Sequence, residues 1–382
     1  MKNNKVWDLY HRELERQHLS HNFIASENYV SNDVLEITGS EFTNKYAEGY
    51  PDKRYYNGCQ NYDSLEKLGI KLLNKLYGCK FANIQPHSGA NANLAVFKAF
   101  LKPGDTILGM DLSAGGHLSH GSNANLSGKW FDNHFYGVDE KGLLNYEEIE
   151  KVACDINPKI IIAGASAYPR QINWKRFREI SDKVGALLMV DMSHYSGLIA
   201  GGVYDNPVEY ADIITSTTHK TLRGARGGMI LWNNDDFTKK INSGVFPGTQ
   251  GGPLMNQIAG KVQSFSEATE DSFKEYTKNI IENSKIMCDV FRENEITIGT
   301  DGTDSHIILI HTKESSGEDV ANILEEEFNI VVNKNSIPND PRGVWKTSGI
   351  RIGTAAMTTK KGLDKEYFTS IAKTISEVIN RH

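Results

Sequence analysis

Apolar and polar positions follow two different spacings between residues 64 and 217, which predicts strands and helices in turn. Helical spacing puts leucines on one face of residues 64–78, namely Leu65, Leu68, Leu72, Leu73 and Leu76. Further helices are predicted in residues 91–104, ending at Gly104, and after the N-cap residue Asn173, ending at Gly185. The apolar runs of strand length are FANIQP (81–86), DTILGMD (105–111), KIIIAG (159–164), ALLMVD (186–191) and DIITST (212–217). This alternation predicts a mostly parallel sheet covered by helices on both faces.

The segments on either side of this region have different patterns. Residues 1–20 are predicted to form an amphipathic helix, and the polar, Tyr-rich and Gly-rich residues 41–60 a long ordered loop. A helical stretch (257–295) is followed by a strand, a helix and two further strands, which indicates a smaller α/β domain. We therefore expect an N-terminal arm (1–45), a large domain (46–258) and a small C-terminal domain (259–382).

Composition narrows the class of protein. The 382 residues are enough for a large core, and the formal net charge is -6. A basic stripe typical of nucleic-acid binders is absent, so no nucleic-acid partner is expected. No apolar run approaches the roughly 20 residues of a membrane helix, and the N-terminus lacks a signal-peptide core, so we expect a cytoplasmic protein without membrane contact. The four cysteines are scattered, which favours free thiols and does not indicate a metal site.

Polar residues follow three of the predicted strands, where parallel sheets place their functional groups. They are Asp191 and His194 after one strand, Thr217, His219 and Lys220 after the next, and His87, Ser88 and Gly89 between a strand and a helix. Because these strand ends meet at one edge of a sheet, this edge is the candidate active site.

Lys220 is the candidate nucleophile at this edge. Arg223 and Arg226 follow it, and a neighbouring cation lowers the pKa of a lysine because it disfavours the ammonium form. The neutral amine is the form that Schiff-base chemistry requires. A basic surface loop would carry the same residues, so this segment alone leaves both interpretations open.

Asp191 and the Ser88-Gly89 turn suggest what would bind beside Lys220. Asp191 ends an apolar strand, where an unpaired carboxylate is costly. It would therefore pair with a pyridinium nitrogen or an arginine, or cap a loop. The Ser88-Gly89 turn precedes a helix whose free N–H groups suit a phosphate, although such turns are common. QGGP (250–253) is either a second turn that approaches a phosphate or a plain interdomain turn.

Long segments from about Phe23 to Gly362 resemble the serine hydroxymethyltransferase family. They are ASENYVS, TNKYAEGYP, KRYY, ANIQPHSGANAN, GGHLSHGS, IIIAGASAYPR, VDMSHYSGLIAGG, TSTTHKTLRGARGGMIL, FPGTQGGPL, VNKNSIPNDP and TSGIRIGT. The resemblance implies fold type I of the pyridoxal-phosphate enzymes, which is the α/β fold of aspartate aminotransferase. That fold has a large, mostly parallel seven-stranded sheet domain and a smaller C-terminal α/β domain. The resemblance also implies a homodimer, or a tetramer of dimers, with active sites shared between subunits.

The same resemblance implies a role for each matching residue around pyridoxal 5'-phosphate. Lys220 would bind this cofactor covalently, Asp191 would keep its ring nitrogen protonated, and His117 would stack on its ring. Other contacts to the cofactor would come from Ser88, Gly89, Ala90, Ser166 and His194, with Tyr46 and Gly252 supplied by the partner subunit. Thr217 and His219, beside Lys220, complete the expected catalytic set.

The implied reaction is the reversible conversion of serine and tetrahydrofolate to glycine and 5,10-methylenetetrahydrofolate. Arg351 would hold the carboxylate of the amino-acid substrate bidentately, assisted by Ser26 and His194. Glu48 of the partner subunit would transfer a proton, with a pKa raised by burial. The mouth of the site would be formed by Tyr55 and Tyr56, and the folate contacts by Leu112, Gly116, Leu118 and Asn335.

Several positions depart from the family pattern. Ala90 stands where a serine would donate a hydroxyl to the phosphate, and Ser193 stands where an alanine packs against the cofactor ring. Trp345 replaces a phenylalanine in the folate region. Other departures are Phe42, Asp52, Asn57, Asn91, Tyr195, Ser196 and Ala225.

These departures leave three hypotheses open. The first is a folate-dependent serine hydroxymethyltransferase whose sequence has drifted. The second is a specialised relative, acting as a threonine-type aldolase, as a transaldolase or as a hydroxymethyltransferase for another amino acid or aldehyde. The third is a non-catalytic paralogue that binds RNA or protein, which the presence of Lys220, Asp191, Arg351 and Glu48 disfavours.

Overall fold

The computed structural model describes residues 4–338, 340–360 and 364–381. The ends of the expected domains at Met1 and His382, Asn339 of the segment VNKNSIPNDP, and Gly362 lie outside the described residues. The strands are β1 (His21–Asn22), β2 (Gly49–Tyr50), β3 (Lys53–Arg54), β4 (Phe81–Asn83), β5 (Thr106–Met110), β6 (Asp132–Tyr136), β7 (Ile160–Ala163), β8 (Leu187–Asp191), β9 (Ile213–Thr217), β10 (Gly228–Trp232), β11 (Ile307–His311), β12 (Ile330–Val331), β13 (Asn333–Asn335) and β14 (Gly349–Gly353). The α-helices are α1 (Lys5–Leu19), α2 (Asn32–Thr38), α3 (Gln60–Tyr77), α4 (Gly89–Phe100), α5 (Leu126–Trp130), α6 (Tyr146–Ile156), α7 (Trp174–Val184), α8 (Ser196–Ala200), α9 (Thr238–Val245), α10 (Met255–Glu267), α11 (Asp271–Glu293), α12 (Gly317–Phe328), α13 (Gly343–Lys346), α14 (Ala355–Thr359) and α15 (Lys365–Arg381).

A seven-stranded sheet forms the centre of the large layer. Its strand order is β4-β10-β9-β8-β7-β5-β6, and β10 alone runs antiparallel to its neighbours. Both faces are covered: Ile160 and Ile162 of β7 pack into one apolar cluster, while Ile161 and Ala163 pack into the other. The expected large, mostly parallel seven-stranded sheet is confirmed.

The C-terminal part forms a second, smaller α/β layer. Strands β11, β14 and β13 make an antiparallel three-stranded sheet, and helices α11, α12 and α15 pack beside it around one apolar cluster. Phe23 belongs to the same cluster, and β1 pairs in parallel with β12, so the N-terminal segment joins this layer. The exact domain boundaries stay predictions.

Three local predictions were wrong. The first concerns Leu68 of α3, which is 48% exposed, whereas Leu73 is buried and Leu65, Leu72 and Leu76 pack against the core as predicted; the buried face also contains Glu66, Gly69 and Tyr77. Glu66 tolerates burial because its carboxylate accepts a 2.6 Å hydrogen bond from Arg54. Helix α4 ends at Phe100, before Gly104.

The third wrong prediction concerns residues 41–60, which are not simply a loop. They contain a short 3-10 helix (Glu41–Asn44) and the hairpin β2–β3. The stretch 257–295 is helical as predicted, but it divides into α10 and α11. In the part of the chain that the structure describes, no helix is both long and apolar enough to cross a membrane.

Candidate active site

A cavity of about 310 Å³ lies at the carboxyl ends of β8 and β9, beside the start of α4. This volume falls near the lower end of the range for small-molecule sites, which is about 300–1,000 Å³. Its walls are formed by Ser26, Ser88, Gly89, Ala90, His117, His120, Ala165, Ser166, Asp191, Ser193, His194, Thr217, His219, Lys220 and Arg226. Most of the expected catalytic and cofactor residues therefore meet in one place.

The carboxylate of Asp191 is held by four donors at the inner end of this cavity. Oδ2 accepts hydrogen bonds of 2.9 Å from Asn93 Nδ2 and from His120 Nε2. Oδ1 accepts from the N–H and the hydroxyl of Ser193, at 3.1 and 2.5 Å. Burial alone would raise the pKa of Asp191. The hydrogen bond from His120 and the other donors nevertheless keep this pKa well below its ordinary value. Asp191 is therefore a buried, fixed negative charge.

Asn93 and His120 were missed as site residues by sequence reasoning. Asn93 lies on α4, and its amide orientation is fixed because Oδ1 accepts a 2.6 Å hydrogen bond from Thr215. Its Nδ2 also donates to Ser119 Oγ, which lies 2.7 Å from His117 Nδ1. His120 was present in the segment GGHLSHGS, but nothing in the sequence shows that its ring contacts Asp191. Both residues are far from Asp191 in sequence, so their contact with it could not be predicted.

Lys220 lies in the loop after β9 and is 8% exposed. Burial lowers the pKa of its ammonium to about 7, with Asp191 raising it and Arg351 and Arg226 lowering it further. The sequence-based prediction of a lowered pKa from neighbouring arginines holds for Arg226. It was wrong for Arg223, whose guanidinium lies 4.6 Å from the ring centroid of Tyr276.

The start of α4 provides free backbone donors at the cavity wall. The Ser88 hydroxyl caps the helix by accepting from the N–H of Asn91 at 3.1 Å, and it donates to Asn91 Oδ1 at 2.8 Å. In the described residues, the N–H groups of Gly89 and Ala90 have no protein acceptor. A Cβ at Gly89 would lie 2.6 Å from Thr217 Cγ2, so this close approach of helix and strand requires glycine.

The hydroxyl of Ser193 has two protein partners at the cavity wall. It points to Asp191 and accepts a 2.9 Å hydrogen bond from the N–H of Thr217. Ser193 also lines the cavity, so the expectation that it lies at the cofactor ring stays a prediction. Ser193 therefore adds a donor to Asp191 from within the cavity wall.

Arg351 on β14 belongs to the small layer and contacts the cavity residue Ser166. Its Nη1 donates to the carbonyl of Ser166 at 2.6 Å, and its Nε donates to Asn333 Oδ1 at 3.0 Å. Burial lowers its pKa to about 10, which still leaves it charged at neutral pH. Nη2 has no acceptor in the described part of the chain, so it can bind an anion beside Ser166.

His219 and His117 also line the cavity, and both are uncharged at neutral pH. Burial, Arg226 and Lys220 lower the pKa of His219 to about 3. Burial and His120 lower the pKa of His117 to about 4. The site therefore has one buried anion, Asp191, and a lysine that readily loses its proton.

The residues expected from a partner subunit lie outside this cavity. Tyr46 lies beside Gly252, Glu48 lies beside the neighbouring Gly251, and Tyr46 also packs against Tyr56 with ring centroids 5.2 Å apart. Tyr55 is 76% exposed. None of these residues lines the cavity around Lys220 of its own chain.

The expected folate residues are also separate from the inner cavity. Leu112 and Leu118 are exposed, and Gly116 packs so closely on the backbone of Met110 that a Cβ would lie 2.1 Å from its carbonyl oxygen. Asn335 lines a different cleft of about 600 Å³ between the two layers. The structure does not bring these four residues into the cavity of Lys220.

Comparison with known proteins identifies the family. The family model described as serine hydroxymethyltransferase matches residues 1–375. The chain is 53% identical to the serine hydroxymethyltransferase of Ehrlichia chaffeensis over 98% of this chain and 90% of that protein. It is 54% identical to that of Wolbachia pipientis wMel, over 98% and 89%, and 52% identical to that of Mesoplasma florum, over 99% and 92%. The expected fold type I is thereby confirmed, and the chain belongs to the serine hydroxymethyltransferase family.

Proposed function

We propose that this chain transfers the hydroxymethyl group of serine to tetrahydrofolate, reversibly, with pyridoxal 5'-phosphate as cofactor. The observation that carries the proposal is the buried Lys220, with its lowered pKa, in one cavity with the four-donor carboxylate of Asp191. When bound, the cofactor supplies an electron sink that stabilises negative charge at the substrate Cα. The membership of the family supports the same activity.

The cavity residues fit this cofactor at three points. Lys220 would provide the amine for covalent attachment, and Asp191 would accept a hydrogen bond from the protonated ring nitrogen. The unpaired N–H groups of Gly89 and Ala90, at the positive end of the twelve-residue helix α4, suit a phosphate. Ala90 offers no hydroxyl here, so its contribution is the backbone N–H. The other cofactor contacts would be Ser88, His117, Ser166 and His194.

The substrate carboxylate would be bound where Arg351 meets Ser166. The free Nη2 of Arg351, together with the second N–H of Nη1, offers two parallel donors to a carboxylate. Ser26 and His194 line the adjacent wall and would assist. Thr217 and His219 would position Lys220 from the same side.

A homodimer would complete the site. Tyr46, Glu48, Tyr55, Tyr56 and Gly252 lie away from Lys220 of their own chain, as residues donated to a partner must. Glu48 would then hold and move a proton at the substrate hydroxyl. The folate would lie at the outer rim, near Leu112, Gly116, Leu118 and Asn335.

The specialised-relative alternative is not favoured. It rested on altered positions such as Ala90, Ser193 and Trp345. Of these, Ser193 has its hydroxyl bound to Asp191, and Ala90 still offers its backbone N–H. The relatives compared above also carry the name of the folate-dependent enzyme. A second activity therefore has no specific structural observation in its favour.

The experiment is to incubate the holoenzyme with serine and measure glycine with and without tetrahydrofolate. We expect glycine formation to require tetrahydrofolate, and to be lost in Lys220→Ala. Serine cleavage that is unaffected by tetrahydrofolate would overturn the proposal.

Shared sites have a separate test in mixed dimers. Lys220→Ala and Glu48→Gln should each be nearly inactive, but chains mixed after mild unfolding should recover about a quarter of the activity, since one of the two sites in each mixed dimer is intact. Failure to recover activity, although mixed dimers form, would place Glu48 in the same chain's site.

A further inference from the structure

His306 connects three segments of the chain behind the cavity. It directly precedes β11, is fully buried, and its ring is nearly parallel to that of His194, with ring centroids 5.4 Å apart and an interplanar angle of 18°. Its Nε2 lies 3.1 Å from the carbonyl oxygen of Ala25 and 3.3 Å from His194 Nδ1. Ala25 adjoins Ser26, so His306 touches the backbone beside one cavity residue and the ring of another.

These distances fix which nitrogen of His306 carries the proton. A carbonyl oxygen can only accept, so Nε2 of His306 must be the donor to Ala25. Nδ1 of His306 is buried without a partner in the described part of the chain. Leaving a bare acceptor nitrogen unpaired there costs less than burying an unpaired N–H. His306 is therefore the tautomer with its proton on Nε2.

The hydrogen on Nε2 of His306 also determines the tautomer of His194, because it lies between Nε2 and His194 Nδ1 as well as the Ala25 carbonyl. Nδ1 of His194 faces the Nε2–H of His306, so it can only accept, and the proton of His194 must be on Nε2. We propose that His306 is a positioning residue that orients His194 through Nδ1, so that His194 presents its Nε2–H to an anionic oxygen in the cavity. This inference rests on the proposed function, because that oxygen would belong to the substrate carboxylate or to the cofactor.

The surroundings of both rings support this arrangement. Burial lowers the pKa of His306 to about 3, and burial together with Lys220 and Arg351 holds the pKa of His194 well below its ordinary value. Both rings therefore carry a single proton at neutral pH. The backbone of His194 is also held, because its carbonyl accepts a 2.8 Å hydrogen bond from Thr221 Oγ1.

The small layer fixes His306 in turn. The N–H of Thr354 donates to the carbonyl of His306 at 3.1 Å, and a Cβ at Gly353 would lie 2.2 Å from Ala25 Cα. The end of β14 is thus packed against both His306 and the segment that carries Ser26. Because Arg351 lies on the same strand, the small layer aligns His194, Ser26 and Arg351 around one position.

Nitrogen NMR on the holoenzyme with isotope-labelled histidine tests the proposal directly. The His194 signals are assigned by their loss in His194→Gln. We expect a protonated Nε2 and a bare, hydrogen-bonded Nδ1 on His194, and a protonated Nε2 on His306. A proton on Nδ1 of His194 would overturn the proposal. This readout is made on the unsubstituted enzyme and needs no catalysis; His194→Gln serves only to assign the signals.

Two variants separate positioning from a purely structural role. His306→Phe keeps an aromatic ring but no donor, so the His194 Nδ1 signal should move to that of an unbonded nitrogen and KM for serine should rise by up to about tenfold. His306→Gln keeps an N–H donor and should restore both values towards those of the unchanged enzyme. An unchanged His194 signal and KM in His306→Phe would contradict the proposal, whereas loss of tetrahydrofolate dependence would refute only the proposed function.

Discussion

The hydroxyl of Ser193 donates a hydrogen bond of 2.5 Å to Oδ1 of Asp191. The same hydroxyl accepts from the N–H of Thr217 at 2.9 Å, so it links the ends of β8 and β9. Ser193 thereby adds a fourth donor to the carboxylate on which the proposed site is built. This position departs from the family pattern, yet it strengthens the local network.

Replacing Ser193 by alanine should lower the free energy of unfolding by about 1–3 kcal/mol, because the half-buried N–H of Thr217 loses its acceptor and the buried carboxylate of Asp191 loses a donor. The measurement is urea unfolding of the cofactor-free protein. Ser196→Ala is the matched control, since the buried Ser196 Oγ has no partner among the described residues. Equal effects of the two substitutions would contradict the network described here.

Gly89→Ala should weaken binding of pyridoxal 5'-phosphate by about tenfold, since the new Cβ would lie 2.6 Å from Thr217 Cγ2 and overpacking costs about 1–3 kcal/mol. Thr217→Ser removes that methyl group, so the double variant should recover part of the affinity. Fluorescence titration gives the dissociation constants, with Thr217→Ser alone as control. No recovery in the double variant would show that the contact with Thr217 is not the cause.

The amine of Lys220 should titrate near pH 7 in the cofactor-free protein. The charge of Asp191 favours the ammonium form, so Asp191→Asn should move the midpoint down; Arg351 disfavours it, so Arg351→Gln should move the midpoint up. Labelling with acetic anhydride across pH, read at Lys220 by mass spectrometry, measures the midpoint. A value near the ordinary lysine pKa of about 10.4 would exclude the buried amine described here.

Arg351→Lys should raise KM for serine by at least about tenfold, because an ammonium cannot offer two parallel donors to a carboxylate. Steady-state kinetics with varied serine measures this effect. Arg292→Lys, a surface change paired with Asp289, should leave KM unchanged. An Arg351→Lys enzyme with normal KM would move the carboxylate site elsewhere.

Five of the seven strands of the large sheet could be predicted from sequence because each lies in a short apolar run. Strands β6 and β10 were not predicted, and β6 (DNHFY) is polar and mostly not buried. The burial of Glu66 on α3 could not be predicted, since it depends on Arg54, which lies opposite. Contacts between distant segments also explain two errors about the pKa of Lys220. The effect of Arg351, which is distant in sequence, was missed, and an effect of Arg223, which is near in sequence but packs on Tyr276, was wrongly assumed. Residues adjacent in sequence, such as Asp191 and His194, were easy to group; contacts between distant segments, such as those of Asn93, His120 and His306, were not.

The most direct test of the account is to reduce the cofactor-bound protein with borohydride, digest it and map the modified peptide. The account predicts the mass of one phosphopyridoxyl group on the peptide that contains Lys220, and none in Lys220→Ala. Lys261 is an informative competitor, because burial also lowers its pKa to about 7, but its amine is bound to the carbonyls of Ile84 and Gly228. Modification of Lys261 instead, or no modified peptide at all, would contradict the account.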